Sequence, residues 1–142
     1  MNEKAAEYRL EDIKLGQKMS FKVTITESML NEFAKLSGDY NPLHMDENYA
    51  NSTSFKHRVC HGMLLASFFS RLIGMYMPGR NALYLTQSLK FVSPCFINDE
   101  VLVEGEVLAM STATRIITLN TTITNSSGNC IIDGQAKVLV RK

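Results

Sequence analysis

The chain has 142 residues and a net charge of +1; 45% of its residues are hydrophobic and 20% are charged. This length and composition predict one folded domain, residues 1–142, and the near-zero net charge disfavours a nucleic-acid binder. Its three cysteines, Cys60, Cys95 and Cys130, form no C-x-x-C pair, which favours the free thiols of a cytoplasmic protein. The polar N-terminus predicts no targeting signal, and no apolar run reaches the ~20 residues of a membrane span.

The first predicted elements are a strand and an amphipathic helix. Residues 17–26 are rich in β-forming types and predict the strand. Thr26 favours the start of a helix as its N-cap, with Glu27 in the first turn, and Gly38 favours its end. The apolar residues predicted to share one face of this helix are Met29, Leu30, Phe33, Ala34 and Leu36.

A loop and then a buried helix are predicted next. Residues 38–60 show no sustained period and contain Pro42, so we expect a loop with one short turn at residues 46–51. A second helix is predicted from Gly62 to about Pro78, and it is apolar on all sides, as buried helices are. Its small residues recur every four positions, so another backbone or a slender ligand can approach closely: Gly62, Ala66, Ser70 and Gly74.

The C-terminal half changes to a period of two, which is typical of strands. The alternating runs are residues 83–91, 101–109, 117–123 and 130–140, and residues 125–129 predict a hairpin turn. Consecutive strands with short connections indicate an antiparallel sheet, and an all-apolar helix needs such a sheet to cover it. We therefore expect an α+β fold with a curved antiparallel sheet wrapped around a long central helix, and a homodimer that covers the rest of that helix.

Candidate chemistry is concentrated between Asp39 and His44, a carboxylate and an imidazole five residues apart. Pro42 lies between them and disfavours regular helix, so we expect a bent loop that brings both side chains to one cavity. A carboxylate and an imidazole that share one water form a general acid/base pair. Asx residues also form ordinary loop turns, which is the alternative interpretation of Asp39 and Asn41.

A second candidate is the start of the central helix at His61, Gly62 and Met63. Free N–H groups at a helix start lie at the positive end of its dipole, and Gly62 has no side chain to obstruct them. If a thioester carbonyl is placed there, the Gly62 N–H would stabilise the negative charge that develops on its oxygen. His61 is expected to be structural, and we expect no metal because the histidines and carboxylates are not at ligand spacing.

Four short motifs match a known family. They are residues 33–44 (FAKLSGDYNPLH), 61–67 (HGMLLAS), 91–94 (FVSP) and 99–101 (DEV). They resemble the MaoC-like family of hot-dog-fold hydratases, and especially its short (R)-specific enoyl-CoA hydratases. The resemblance extends over nearly the whole chain, and the coupling of D-x-N-P-x-H to H-G-M makes it specific.

The resemblance implies a role for each matched residue. Asp39 and His44 would bind the catalytic water and act as base and acid in the syn hydration of a trans-2-enoyl-CoA, and Gly62 would polarise the thioester carbonyl. Asn41 would fix the loop, and Ser70 would lie near the active site. Leu65 and Ile73 would line the acyl pocket. The product would be an (R)-3-hydroxyacyl-CoA, and no cofactor is implied beyond the CoA of the substrate.

Three alternatives remain at this stage. A 3-hydroxyacyl-acyl-carrier-protein dehydratase would run the same chemistry on another carrier. A hot-dog thioesterase would direct attack at the carbonyl carbon, and a non-catalytic protein would only bind acyl-CoA. Four basic residues are candidates for the CoA phosphates, although a solvated surface is the default interpretation for each: Lys56, Arg58, Arg80 and Lys90.

Overall fold

The computed structural model describes residues 4–142, which form six strands, five α-helices, a 3-10 turn at Leu10–Asp12 and one π-helical turn. The strands are β1 (Lys18–Thr24), β2 (Ala82–Gln87), β3 (Lys90–Phe91), β4 (Glu100–Ser111), β5 (Ile116–Asn125) and β6 (Cys130–Val140). The helices are α1 (Glu27–Ser37), α2 (Pro42–Met45), α3 (Glu47–Asn51), α4 (Gly62–Ala66) and α5 (Phe68–Arg71), with a π-helical turn at Leu72–Tyr76. Within the described part of the chain, no helix is both long enough and apolar enough to cross a membrane.

All six strands join one antiparallel sheet in the order β1-β4-β5-β6-β2, and β3 also pairs with β6. Every second residue of β5 from Ile117 to Ile123 is fully buried, which is the alternation that the sequence predicted. The predicted meander is confirmed by β4, β5 and β6, and the predicted turn at residues 125–129 joins the last two.

One predicted strand is wrong in detail, because residues 83–91 form two strands rather than one. A bulge between Tyr84 and Thr86 shifts the register of β2 on β6. The carbonyl of Ser88 then approaches Gly134 so closely that a Cβ there would lie 1.9 Å from its oxygen. The strand is interrupted at residues 88 and 89, although the Ser88 N–H still donates to the Gln135 carbonyl at 2.9 Å.

Helix α1 follows its predicted start and end. The Thr26 hydroxyl accepts a hydrogen bond from the Met29 N–H at 3.2 Å, and Gly38 ends the helix in the left-handed region at φ 82°. The prediction for Leu36 is wrong, because its exposed fraction is 86%. At 100° per residue, Leu36 points about 160° away from the buried Ala34.

The central helix is residues 62–76, formed by α4, α5 and the π-helical turn. Its inner side packs on the sheet through Leu64, Leu65, Phe69 and Leu72, which confirms the predicted helix wrapped by a sheet. The helix is not buried on all sides, because Met63, Ser67 and Ser70 are exposed. It is also irregular near Ser67, whose hydroxyl donates to the Leu64 carbonyl at 2.5 Å and competes with the helical pattern.

Replacing Gly134 with alanine is expected to destabilise the fold, because the new Cβ would collide with the Ser88 carbonyl. Overpacking of this kind costs about 1–3 kcal/mol of unfolding free energy, measurable by urea denaturation. Ser126→Ala, in the exposed β5–β6 turn, is the control and should change stability by less than about 0.5 kcal/mol. An unchanged midpoint for Gly134→Ala would show that the backbone contact is dispensable.

Candidate active site

Asp39 is placed by the end of α1. Gly38 adopts φ 82° while its N–H donates to the Ala34 carbonyl at 2.8 Å, a conformation that glycine adopts without steric cost. The chain therefore turns sharply just before Asp39. One carboxylate oxygen of Asp39 accepts a hydrogen bond from the Asn41 N–H at 3.1 Å, which leaves its other oxygen free to bind water.

His44 lies in a one-turn helix, α2, where the sequence predicted a loop. Pro42 begins this helix because its fixed φ suits the first helical position and its missing N–H is not needed there. The Asn41 side chain accepts a hydrogen bond from the Leu43 N–H at 3.0 Å and so caps the turn. Asn41 thus makes a contact that holds the segment between Asp39 and His44 in place.

The ring of His44 is held by Val59. Its Nδ1 lies 2.7 Å from the Val59 carbonyl oxygen, and the Val59 N–H donates to the Leu43 carbonyl at 3.2 Å. A carbonyl oxygen only accepts, so Nδ1 carries the proton and Nε2 is free for other partners. A ring nitrogen of His44 and a carboxylate oxygen of Asp39 lie within 4.8 Å of each other. One water that makes two hydrogen bonds of about 2.8 Å spans about 4.6 Å, so it can bridge the pair.

His61 completes this cluster and is 1% exposed. Its Nε2 lies 3.0 Å from the backbone oxygen of Asp39, and its ring stacks on His44 with centroids 4.2 Å apart. Phe33 covers it on another side at 4.9 Å. Burial lowers the pKa of His61 below its ordinary value, which favours the neutral ring.

Arg58 is buried, which corrects its default interpretation as a solvated surface residue. It is 7% exposed; its Nε donates to the His44 carbonyl at 2.7 Å and its Nη1 to Glu27 at 2.9 Å. The guanidinium therefore ties the first turn of α1 to the turn that carries His44. Nothing local in the sequence marks this residue, because its partners lie 14 and 31 positions away.

Gly62 opens the central helix on the wall of a cavity of about 470 Å³. Its N–H has no hydrogen-bond partner among residues 4–142, as is usual at a helix start. A Cβ on Gly62 would lie 2.7 Å from the Phe91 ring, so a side chain there would crowd this part of the cavity. The lining residues include Asp39, His44, Cys60, Gly62, Leu65, Phe91, Cys95, Ile131 and Ile132.

The cavity brings together Asp39, His44, Gly62 and Leu65, but it does not reach Ser70 or Ile73. Ser70 is exposed, and Ile73 is buried in a separate part of the core. At 1.5 Å per residue, Ser70 lies about 12 Å along the helix from Gly62. The sheet residues of the cavity wall, such as Ile131, were not identified from the sequence, because only the folded sheet brings them here.

Among the described residues, the ligand atoms of Asp39, His44 and His61 all lie within 4.8 Å of one another, close enough for a metal ion, so the interpretation of the sequence spacing was wrong. The geometry does not suit one. The two imidazoles are stacked with an interplanar angle of 29°, so their in-plane lone pairs do not converge on one point. One nitrogen of each ring is also bonded to a backbone carbonyl. The side chains of Asp39, His44 and His61 therefore suit proton transfer better than metal binding. The expectation that the site binds no metal stays a prediction.

Replacing Arg58 with methionine keeps the length of the side chain but leaves the His44 carbonyl and Glu27 without their donor. Hydrogen bonds to charged groups contribute about 1.5–3 kcal/mol, so we expect a loss of that size in the free energy of unfolding. Chemical denaturation measures it. Lys56→Met removes a neighbouring exposed cation and is expected to leave stability unchanged. Equal midpoints for the two variants would contradict the structural role of Arg58.

Comparisons with known proteins show the family and the fold of the chain. A family model described as "MaoC like domain" matches residues 11–129. An (R)-specific enoyl-CoA hydratase of Rhodospirillum rubrum is 45% identical over 130 residues, which is 92% of this chain and 90% of that protein. One of Aeromonas caviae is 41% identical over 128 residues, covering 90% and 96% of the two chains. The unliganded R-hydratase of Pseudomonas aeruginosa has a similar structure, with a TM-score of 0.93 at 34% identity over 97% of this chain and 88% of that chain.

Proposed function

We propose that this chain, which belongs to the MaoC-like domain family, is an (R)-specific enoyl-CoA hydratase. The reaction is the reversible syn addition of water to a trans-2-enoyl-CoA, which gives an (R)-3-hydroxyacyl-CoA. The observation that carries the proposal is the Asp39–His44 pair, whose oxygen and nitrogen lie within 4.8 Å at a cavity wall. The free N–H of Gly62 borders the same cavity.

In the proposed mechanism, the bridging water attacks C3 of the enoyl group while Asp39 takes one of its protons. C2 receives a proton from His44. Because Nδ1–H of His44 is fixed on the Val59 carbonyl, the acid form is the imidazolium and the proton transferred is the one on Nε2. Hydroxyl and proton then arrive from one side of the double bond, which makes the addition syn. Solvent afterwards returns the proton from Asp39 to His44.

The thioester is proposed to bind with its carbonyl oxygen at the Gly62 N–H. Negative charge builds on that oxygen when water adds to C3, and a fixed donor at that position stabilises the transition state more than the ground state. The acyl chain would then contact Leu65 and the sheet residues Ile131 and Ile132, which line the same cavity. Ser70 and Ile73 are not assigned to this cavity.

Asp39→Asn tests the role of the base, because it removes the proton acceptor with almost no change of shape. General acid/base catalysis contributes about 10²–10⁴-fold, so kcat for crotonyl-CoA hydration should fall by that factor. The assay follows the loss of the conjugated-enoyl absorbance, and an (R)-specific dehydrogenase checks the configuration of the product.

Asp133→Asn, at an exposed position of β6, is the matched control and should keep full activity. Near-normal turnover by Asp39→Asn would refute the assignment of the base. If the wild-type protein is inactive on enoyl-CoA but hydrates the acyl-carrier-protein thioester, the proposed CoA substrate is wrong and the proposed hydration reaction is retained. Release of free thiol from a saturated acyl-CoA would instead indicate a thioesterase.

We further propose a homodimer that covers an apolar surface around β2, a strand at the edge of the sheet. Exposed edges and contiguous apolar patches are usually covered by a partner. The large exposed apolar side chains on and near this edge are Met63, Leu83, Leu85, Phe91 and Val92. Because Met63 and Phe91 also line the cavity, the second copy would border the active site.

Leu85→Asp should convert the dimer to monomers, because it places a charge on the apolar edge. Light scattering coupled to gel filtration should give twice 15.9 kDa for the wild type and 15.9 kDa for the variant. Leu36→Asp, at an 86% exposed position of α1, is the control and should remain dimeric. A monomeric wild-type protein at the concentration of the assay would contradict the dimer.

The cytoplasm is the proposed location, where the hydratase would act in acyl-chain metabolism. All three cysteines are free thiols, which suits a reducing compartment. Cys60 and Cys95 remain unlinked although the Cys60 N–H donates to the Cys95 carbonyl at 2.7 Å.

A further inference from the structure

His61 contacts both members of the Asp39–His44 pair. Its Nε2 lies 3.0 Å from the backbone oxygen of Asp39, and its ring stacks on the ring of His44 at 4.2 Å. We propose that His61 is a positioning residue that holds Asp39 and His44 at the separation that one water bridges. This inference rests on the proposed hydratase function, because the separation matters only if the pair activates water.

The two contacts restrain motions that the other contacts leave free. The hydrogen bond to Val59 holds one atom of the His44 ring, about which the ring can still pivot. Stacking on His61 blocks that pivot from one side. Asp39 lies in an exposed turn, and the bond from His61 fixes its backbone to the start of the central helix. His61 therefore joins Asp39, in the loop after α1, to His44 in α2.

The protonation of His61 follows from its partner. The Asp39 carbonyl accepts only, so Nε2 carries the proton, and the neutral ring keeps an acceptor lone pair on Nδ1. That atom is buried and has no partner in the described part of the chain. A buried polar atom without a partner is destabilising. Phenylalanine would fill the volume and stack on His44 without this cost, but it would lack the Nε2–H donor.

A neutral His61 is also compatible with the acid role of His44. A charged ring 4.2 Å from His44 would oppose its protonation, whereas a neutral ring does not. Desolvation by burial lowers the pKa of His61, and the hydrogen bond to Asp39 acts in the opposite direction. The geometry and the protonation of His61 thus both suit a fixed, uncharged support.

Two variants separate the donor from the packing. His61→Phe keeps the volume and the stacking but removes the donor, whereas His61→Gln keeps an uncharged N–H at the end of the side chain. His61→Phe should lower kcat by about 10²-fold, the effect of a small misplacement of reacting groups, with little change in KM. His61→Gln should recover part of that loss, because it restores the donor to Asp39 but not the ring stacked on His44. His57→Gln changes a histidine whose side chain is 72% exposed, and it should behave as wild type.

A second measurement does not depend on turnover. The Nδ1 proton of His44, bonded to the Val59 carbonyl, should give a slowly exchanging proton resonance that His57→Gln leaves in place. His61→Gln, which lacks the ring that stacks on His44, should broaden that resonance, whereas His61→Phe, which keeps a stacking ring, should leave it narrow.

The outcomes distinguish the two proposals. Full kcat in His61→Phe would overturn the positioning of Asp39, and an unchanged resonance in His61→Gln would overturn the positioning of His44. A loss of kcat that His61→Gln does not recover and that matches a loss of thermal stability would also overturn it, in favour of a packing role. A wild-type protein that hydrates no enoyl thioester would refute the hydratase, while the resonance would still decide whether His61 orders His44.

Discussion

The backbone hydrogen bonds of residues 58–61 hold the site together, because this segment is bonded along both of its edges. On one edge, the Val59 N–H and carbonyl bond to the segment of His44. On the other edge, the Cys60 N–H donates to Cys95, and Val59 forms a bridge with Phe96. The segment ends at Gly62, where the central helix begins. The acid/base pair and the proposed carbonyl site are therefore fixed relative to one stretch of chain.

Helix α1 contributes to the same arrangement from both of its ends. Its first residue, Glu27, accepts a hydrogen bond from Arg58, which also donates to the His44 carbonyl. Its last turn delivers Asp39 through the left-handed conformation of Gly38. The distance between base and acid thus depends on how α1 is anchored, so a change at Glu27, far from the cavity in sequence, can alter the geometry of the pair.

The sequence was sufficient to predict those features of the fold and the site that depend on residues close together in the chain. The period of two predicted β4 to β6, Thr26 and Gly38 predicted the bounds of α1, and the spacing of Asp39 and His44 predicted one cavity. Predictions from the sequence failed where contacts between residues that are distant along the chain determine the structure. The burial of Arg58, the interruption of the strand at Ser88 and the sheet residues of the cavity wall depend on partners that only the folded chain brings near.

The two thiols in the cavity wall bear on the chemical selectivity of the site. An enoyl thioester is an acceptor for sulfur nucleophiles as well as for water, and Cys60 and Cys95 both line the cavity in which it would bind. The side-chain contact with Cys95 and the burial of the thiol raise the pKa of Cys60, so the thiol stays protonated. Protonated thiols are poor nucleophiles. Cys60 would therefore be inert toward the electrophilic substrate beside it, and its sulfur would not compete with water for the double bond.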